Sequence, residues 1–256
     1  MNGAFHIGGV GLSSQQRALD VVANNISNMN TQGFKRSNVS FSEIMASSSN
    51  ALSTAANLQN DTSAAGVSTN VSFNLNQQGE LRSTGQPLDL AISGDGFIEL
   101  MGPRGEVYLW RGGALEVGND GMLHADNGLA LKSMINVPLD ATQLQIGSDG
   151  IVFAAVNGEN DGQELGQIMM VRVQNSSDVS RLDGGLYKLG DSAQIIDTEA
   201  GQDGAGLFVQ GSIEGSNVDL NTEMVEMMIV QRAYSANAQI VQAGDQMMSI
   251  ANNLRR

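Results

Sequence analysis

Apolar residues at both ends of this chain recur in steps that only a helix can use. Near the start, Phe5, Leu12, Leu19, Val22, Ile26 and Met29 fall on a seven-residue repeat. Near the end, Ile229, Ala233, Ala236, Ile240, Ala243, Met247, Ile250 and Leu254 alternate steps of four and three almost to the last residue. Such spacing keeps one apolar stripe on one side of an α-helix, the pattern of a coiled-coil seam. Between the seams lie glycine-rich turns and short apolar runs of another kind. A globular enzyme gains little from committing both termini to exposed-seam helices, whereas a polymerising subunit gains its contacts from them.

The first seam predicts a helix over about residues 3–29. Gly8, Gly9 and Gly11 weaken its first turns, each by about 1 kcal/mol relative to alanine. Asn24, Asn25, Asn28 and Asn30 crowd its end, and Gly33 is the candidate stop. The second seam predicts a helix from Leu220 to Leu254, broken by no proline and only by Gly244. Asn217 and Asp219 are both candidate caps. At 1.5 Å per residue the helix is on the order of 50 Å long. It carries a second apolar face, with Met224, Met227, Tyr234, Val241 and Met248, and two faces imply two neighbours. The N-terminal helix is a candidate for one of them. An intramolecular hairpin closing a single globule is the competing arrangement. Helices without a partner are expected to gain order only as copies stack.

Residues 46–72 are rich in Ser, Ala, Asn and Thr and have no strong period, the composition of a linker or extended arm. From residue 73 to 210 apolar runs such as Leu88–Ile92 and Ile168–Val173 alternate with turn signals at Gly94-Asp95-Gly96, Asn119-Asp120-Gly121, Asp126-Asn127-Gly128 and Ser148-Asp149-Gly150. The expected fold is α+β, with a discontinuous, coiled-coil-like helical domain made of both termini and a central all-β domain. Its expected divisions are the N-terminal helix at 1–35, the arm at 36–72, the β domain at 73–210 and the C-terminal helix at 211–256.

Charge and composition exclude several functions. Thirteen basic residues against 27 acidic ones leave a net charge of −14, which repels nucleic-acid phosphate and anionic membrane surfaces. The absence of cysteine removes disulfides, zinc–thiolate sites and thiol catalysis. No stretch is apolar enough to span a bilayer, and residues 1–12 lack the features of a cleaved secretory signal. His6 and His124 read as ordinary surface residues. The sequence contains no G-x-S-x-G, no H-E-x-x-H and no phosphate-binding loop. Gly9-Val10-Gly11 lacks the strand and third glycine of a dinucleotide site. Residues 157–162 resemble half of a calcium loop, but Ile168 stands where the bidentate glutamate belongs. We expect no catalytic residue, cofactor or metal, and no enzyme.

Three segments resemble the bacterial flagellar rod and hook axial proteins. The first, Val21 to Arg36, follows the pattern ANN(I/L)xN…T.GF(K/R). The second, Leu90 to Phe97, resembles the (V/L)AIxGxGFF strand, with Ile98 replacing the second Phe. The third, Gln210 to Asp219 and on through Glu223 to Tyr234, is similar to G.(L/I)E.SNV(D/N)…E(L/M)V.MI..QRAY. They stand in the family's order and span nearly the whole chain. The resemblance implies a subunit that stacks helically into a hollow drive shaft, transmits torque and conducts exported subunits. Its implied location is the basal body across the periplasm, reached by type III export without a cleaved signal. Its implied partners are itself, other rod and hook proteins, basal-body rings and the export apparatus. The segments are most like the distal rod; the proximal rod and a hook-type subunit are the alternatives within the family. The implied assembly positions are Leu12, Leu19, Val22, Asn24, Asn25, Ile26, Asn28, Gly33, Phe34, Ile229, Ala233, Tyr234, Ala236, Ile240, Ala243, Met247, Ile250 and Leu254. Outside the family, the alternatives are a soluble dimeric ligand-binding module and an acidic hydrolase.

Overall fold

The computed structural model describes residues 2–45, 64–75, 77–156, 162–174, 179–190 and 193–253. The side chain of Phe5, residue Leu254, most of the 46–72 segment and most of the calcium-loop-like segment lie outside them. The chain divides into two compact units: Met1–Ser27 with Ser37–Ser72 and Asp219–Arg256, and Asn28–Arg36 with Phe73–Val218.

The first unit holds α1 (Asn2–Ser27) and α2 (Leu220–Asn253), which pack along one another, and a two-stranded sheet of β1 (Ser37–Met45) and β2 (Ala64–Phe73). Residues 64–72, linker-like in composition, therefore run as a paired strand. Their alternating Val, Thr and Val supply the β-branched residues a strand favours. Ser14 Oγ donates to Val67 O at 3.3 Å and Arg17 Nη1 to Thr69 Oγ1 at 2.7 Å, tying α1 to β2.

The glycines that weaken α1 have a reason in the packing. A Cβ on Gly8 would stand 2.7 Å from Val241 Cγ2, and one on Gly11 would stand 3.1 Å from Asn237 Nδ2. Both therefore let α2 approach the α1 backbone, whereas Gly9 faces open space. Asp219 is the cap of α2. Its carboxylate accepts from Thr222 N at 3.1 Å and from Thr222 Oγ1 at 2.5 Å, and its carbonyl from Glu223 N at 3.0 Å. The Thr222 hydroxyl and amide hold the Asp219 carboxyl below the usual range.

The second unit is all-β apart from a short 3₁₀ turn among the described residues. Eleven strands share its main sheet. Within it, β4 (Asp89–Ser93) and β5 (Phe97–Met101) are buried along nearly their whole length, so both faces are covered. That is why Leu90–Ala91–Ile92 reads as a continuous apolar run and not an alternation. The strand expected near Ile168–Val173 is Met170–Val173, paired with β5. Gly121, Gly128 and Gly150 take φ of 77°, 78° and 86° in the Asp-Gly and Asn-Gly turns, where a side chain would strain the backbone. Leu90, Ile92, Leu100, Trp110, Leu123 and Phe208 lie in the larger core, and Phe97, Leu109, Val171 and Tyr187 in a smaller one.

Candidate assembly site

The first and third signature segments meet inside the helical unit. Asn25 Nδ2 donates to Ser37 O at 2.9 Å and to Glu223 Oε2 at 3.1 Å, and Ser37 N donates to Asn25 Oδ1 at 3.0 Å. One buried amide thus fixes both backbone groups of the first residue of β1 and anchors the first turn of α2. Only Asn, with an acceptor and a two-proton donor on one short stem, can do both.

All three segments meet again inside the β unit, around Glu214. Its Oε1 accepts from Lys35 Nζ at 2.5 Å and from Gly79 N at 2.8 Å, and its Oε2 accepts from Arg111 Nε at 2.8 Å. The Lys35, Glu214 and Arg111 side chains are each 2% exposed or less. Lys35 Nζ also donates to Gln77 O at 2.8 Å. The Arg111 guanidinium donates to the carbonyls of Gly96 and Gly94. Burial, and then the charge of Arg111, push the Lys35 ammonium down; Glu214 opposes both. Gly33 takes φ 64° and donates to Glu214 O at 2.8 Å. Its carbonyl receives the Tyr187 hydroxyl at 3.3 Å, and burial pushes that hydroxyl up to about 12. The Asn217 side chain accepts from Arg36 N at 2.6 Å and donates to Gln77 O at 2.9 Å. Arg181 stacks 3.6 Å above the buried Phe34 ring.

The proposed assembly positions fall into three environments. Val22, Asn25, Gly33 and Phe34 are buried within the chain; Leu12, Leu19, Ile26, Asn28 and Ala233 are half-buried; Asn24, Tyr234, Ala236 and Ala243 are exposed. On α2 the least exposed residues include Glu223, Met227 and Val230 and then Asn237, Val241 and Gly244, two sets spaced four and three that are separated by seven positions across the exposed Tyr234. Beside them Ile229, Ile240, Met247 and Ile250, at 60–64% exposed, form an apolar stripe left uncovered among the described residues. Near its start Val225 and Ile229 flank a groove on the same unit, opposite the exposed ring of Phe41.

Sequence reasoning did not single out Lys35, Arg111, Glu214 or Glu223. Their signal was present, since three of them stand inside the signature segments, but charge alone gives no sign of burial. His124 Nε2 lies 3.1 Å from the Asp120 carboxylate within a surface hairpin. Among the described residues no cluster of three His, Cys, Asp or Glu is placed to hold a metal, and no helix is long and apolar enough to cross a membrane.

These meeting points coincide with what known proteins share with the chain. Residues 5–35 match the family described as flagella basal body rod protein, residues 91–154 the flagellar hook protein FlgE/F/G D1 domain, and residues 209–254 the flagellar basal body rod FlgEFG protein C-terminal family. The flagellar basal-body rod protein FlgG of Buchnera aphidicola subsp. Schizaphis graminum is 33% identical over 253 residues, covering 95% of this chain and 96% of that protein. FlgG of Borreliella burgdorferi and of Bacillus subtilis are each 34% identical, covering 96% of both chains. The flagellar hook protein FlgE of Rhizobium meliloti matches at 33% over 62% of this chain and only 37% of its own length. Lys35, Arg111 and Glu214 thus fall one in each of the three matched stretches, and with full-length rod proteins matching at 33–34% identity the chain belongs to the flagellar basal-body rod protein family.

Proposed function

We propose that this chain is the distal-rod subunit, and that its copies stack helically through the terminal helices into a hollow shaft. The shaft carries torque and conducts exported subunits, spans the periplasm, abuts other rod and hook proteins and basal-body rings, and is supplied by the type III export apparatus. Its role is structural and not enzymatic. The observation that carries this reading is the uncovered stripe on α2. Fully burying such a side chain is worth about 1.5–3 kcal/mol, so burying the exposed parts of Val225, Ile229, Ile240, Met247 and Ile250 supplies roughly 5–8 kcal/mol per copy before ordering costs. The hook reading is weaker because the hook relative matches only in part.

Ile240→Asp tests it. A carboxylate in a closed seam costs several kcal/mol, whereas at a position 61% exposed in the single chain it costs little. Gln242→Asp is the control, two residues on and about 200° round the helix. Basal bodies purified from the Ile240→Asp strain should lack the chain, the Gln242→Asp strain should assemble, and both purified subunits should melt like the parent. Normal rods from Ile240→Asp would remove the stripe from the assembly.

A further inference from the structure

A small cavity in the β unit, about 260 Å³, is lined by Ile98, Glu99, Lys132, Ser133, Met169 and Asp197. Glu99 Oε2 accepts from Lys132 Nζ at 2.7 Å, in a side chain 7% exposed. Glu99 Oε1 and Ser133 Oγ are also buried, and neither makes a hydrogen bond. A native fold leaves few such atoms unmatched, because each costs about 1–3 kcal/mol. The wall carries two carboxylates against one ammonium, so it asks for a positive, hydrogen-bond-donating group. The space falls below the roughly 300–1,000 Å³ of small-molecule sites, and suits one side-chain head.

The chain offers such a group. Among the described residues only a few basic side chains are left with neither an ion pair nor a hydrogen bond: Arg104, Lys188 and Arg232. Arg104 belongs to the β unit and sits at a hairpin tip. Gly105 N donates to Gly102 O at 3.0 Å and Gly102 N to Glu106 O at 2.8 Å, which puts Pro103 and Arg104 on the two corners of the turn between β5 and β6 (Val107–Trp110). A guanidinium donates in several directions at once, so it can serve Glu99 Oε1, Ser133 Oγ and the Asp197 rim together.

We propose that the Glu99–Ser133–Asp197 cavity is a socket for Arg104 of a second copy, a polar link between β domains. It rests on the rod reading above and adds a contact that the helical stripe does not include.

The chain has no cysteine, so introduced thiols are unambiguous. Arg104→Cys and Met169→Cys, at the tip and the socket rim, are placed in one chain and separately. Basal bodies are treated with a bis-maleimide about as long as an arginine side chain. The double variant should give covalent dimers and a ladder, and each single variant only monomer. Arg104→Glu should lower assembled rods at least tenfold, and adding Asp197→Arg should restore at least half. A control pair on facing strands and both exposed, Ser180→Cys with Lys188→Cys, should be linked within each chain. Rods that contain the chain and link the control pair, but never link 104 to 169, would overturn the socket and leave the rod reading intact. Wild-type basal bodies without the chain would overturn both.

Discussion

Replacing Glu214 by glutamine changes one atom and leaves two buried cations with no counter-charge. The wild-type carboxylate receives Lys35 and Gly79 on one oxygen and Arg111 on the other. Glutamine keeps one oxygen; wherever its NH₂ turns, it opposes either the Arg111 Nε–H or the Lys35 and Gly79 donors. Breaking a buried ion pair from one side costs about 3–5 kcal/mol. At about 2–4 °C per kcal/mol for a domain of this size, the β unit should melt roughly 10 °C lower. Lys35→Met should cost much less. Arg111 still balances Glu214, Gly79 N still satisfies Oε1, and an ammonium already pushed down by burial is gone. The Gln77 carbonyl keeps the Asn217 amide at 2.9 Å, so what is lost is the two Lys35 hydrogen bonds, about 1–2 kcal/mol. Calorimetry of the purified subunits measures both. A Glu214→Gln melt equal to the parent's, or a Lys35→Met loss larger than it, would refute the account of the node.

Two further outcomes follow from single residues. The Tyr187 hydroxyl ionises near 10 when unfolded and about 12 when folded, so its neutral form contributes stability below pH 10 that is lost as pH rises towards 12. The shift is worth about 3 kcal/mol, and denaturant titrations at pH 9 and pH 11.5 should show that loss in the parent and not in Tyr187→Phe. Gly9→Ala should raise helix content by circular dichroism with up to about 1 kcal/mol gained, whereas Gly8→Ala, which meets Val241, should gain little or lose, and equal gains at both positions would deny the close approach of the helices.

What the sequence makes legible depends on whether a property is periodic. The two helices, their apolar faces and the all-β body follow from spacing alone, because a stripe at 3.5 residues and a turn at Asp-Gly each have one local cause. Spacing does not say which stripe on α2 is spoken for. Ile240 and Val241 are equally apolar neighbours, and only the position of Gly8 against Val241 decides that the Ile240 stripe is the one left over. The same limit applies to residues 64–72. Their small polar side chains suit a linker, and what makes them a strand is the backbone of β1, which no local pattern announces.

The node around Glu214 is opaque for a different reason. Lys35 lies 179 positions from Glu214 and Arg111 lies 103, so nothing local marks the three as partners, and the ordinary expectation for Lys, Arg and Glu is a solvated surface. Its chemistry also explains why such a node belongs in a polymerising subunit. Apolar stripes attract any apolar stripe, whereas a carboxylate that must meet two cations and a glycine amide, with one of those cations also donating to the carbonyls of Gly94 and Gly96, admits one arrangement of the first, middle and last segments. In this chain specificity is placed in the buried polar contacts within the subunit. The non-directional burial energy is left on the exposed stripe of α2, the surface proposed above for the next copy.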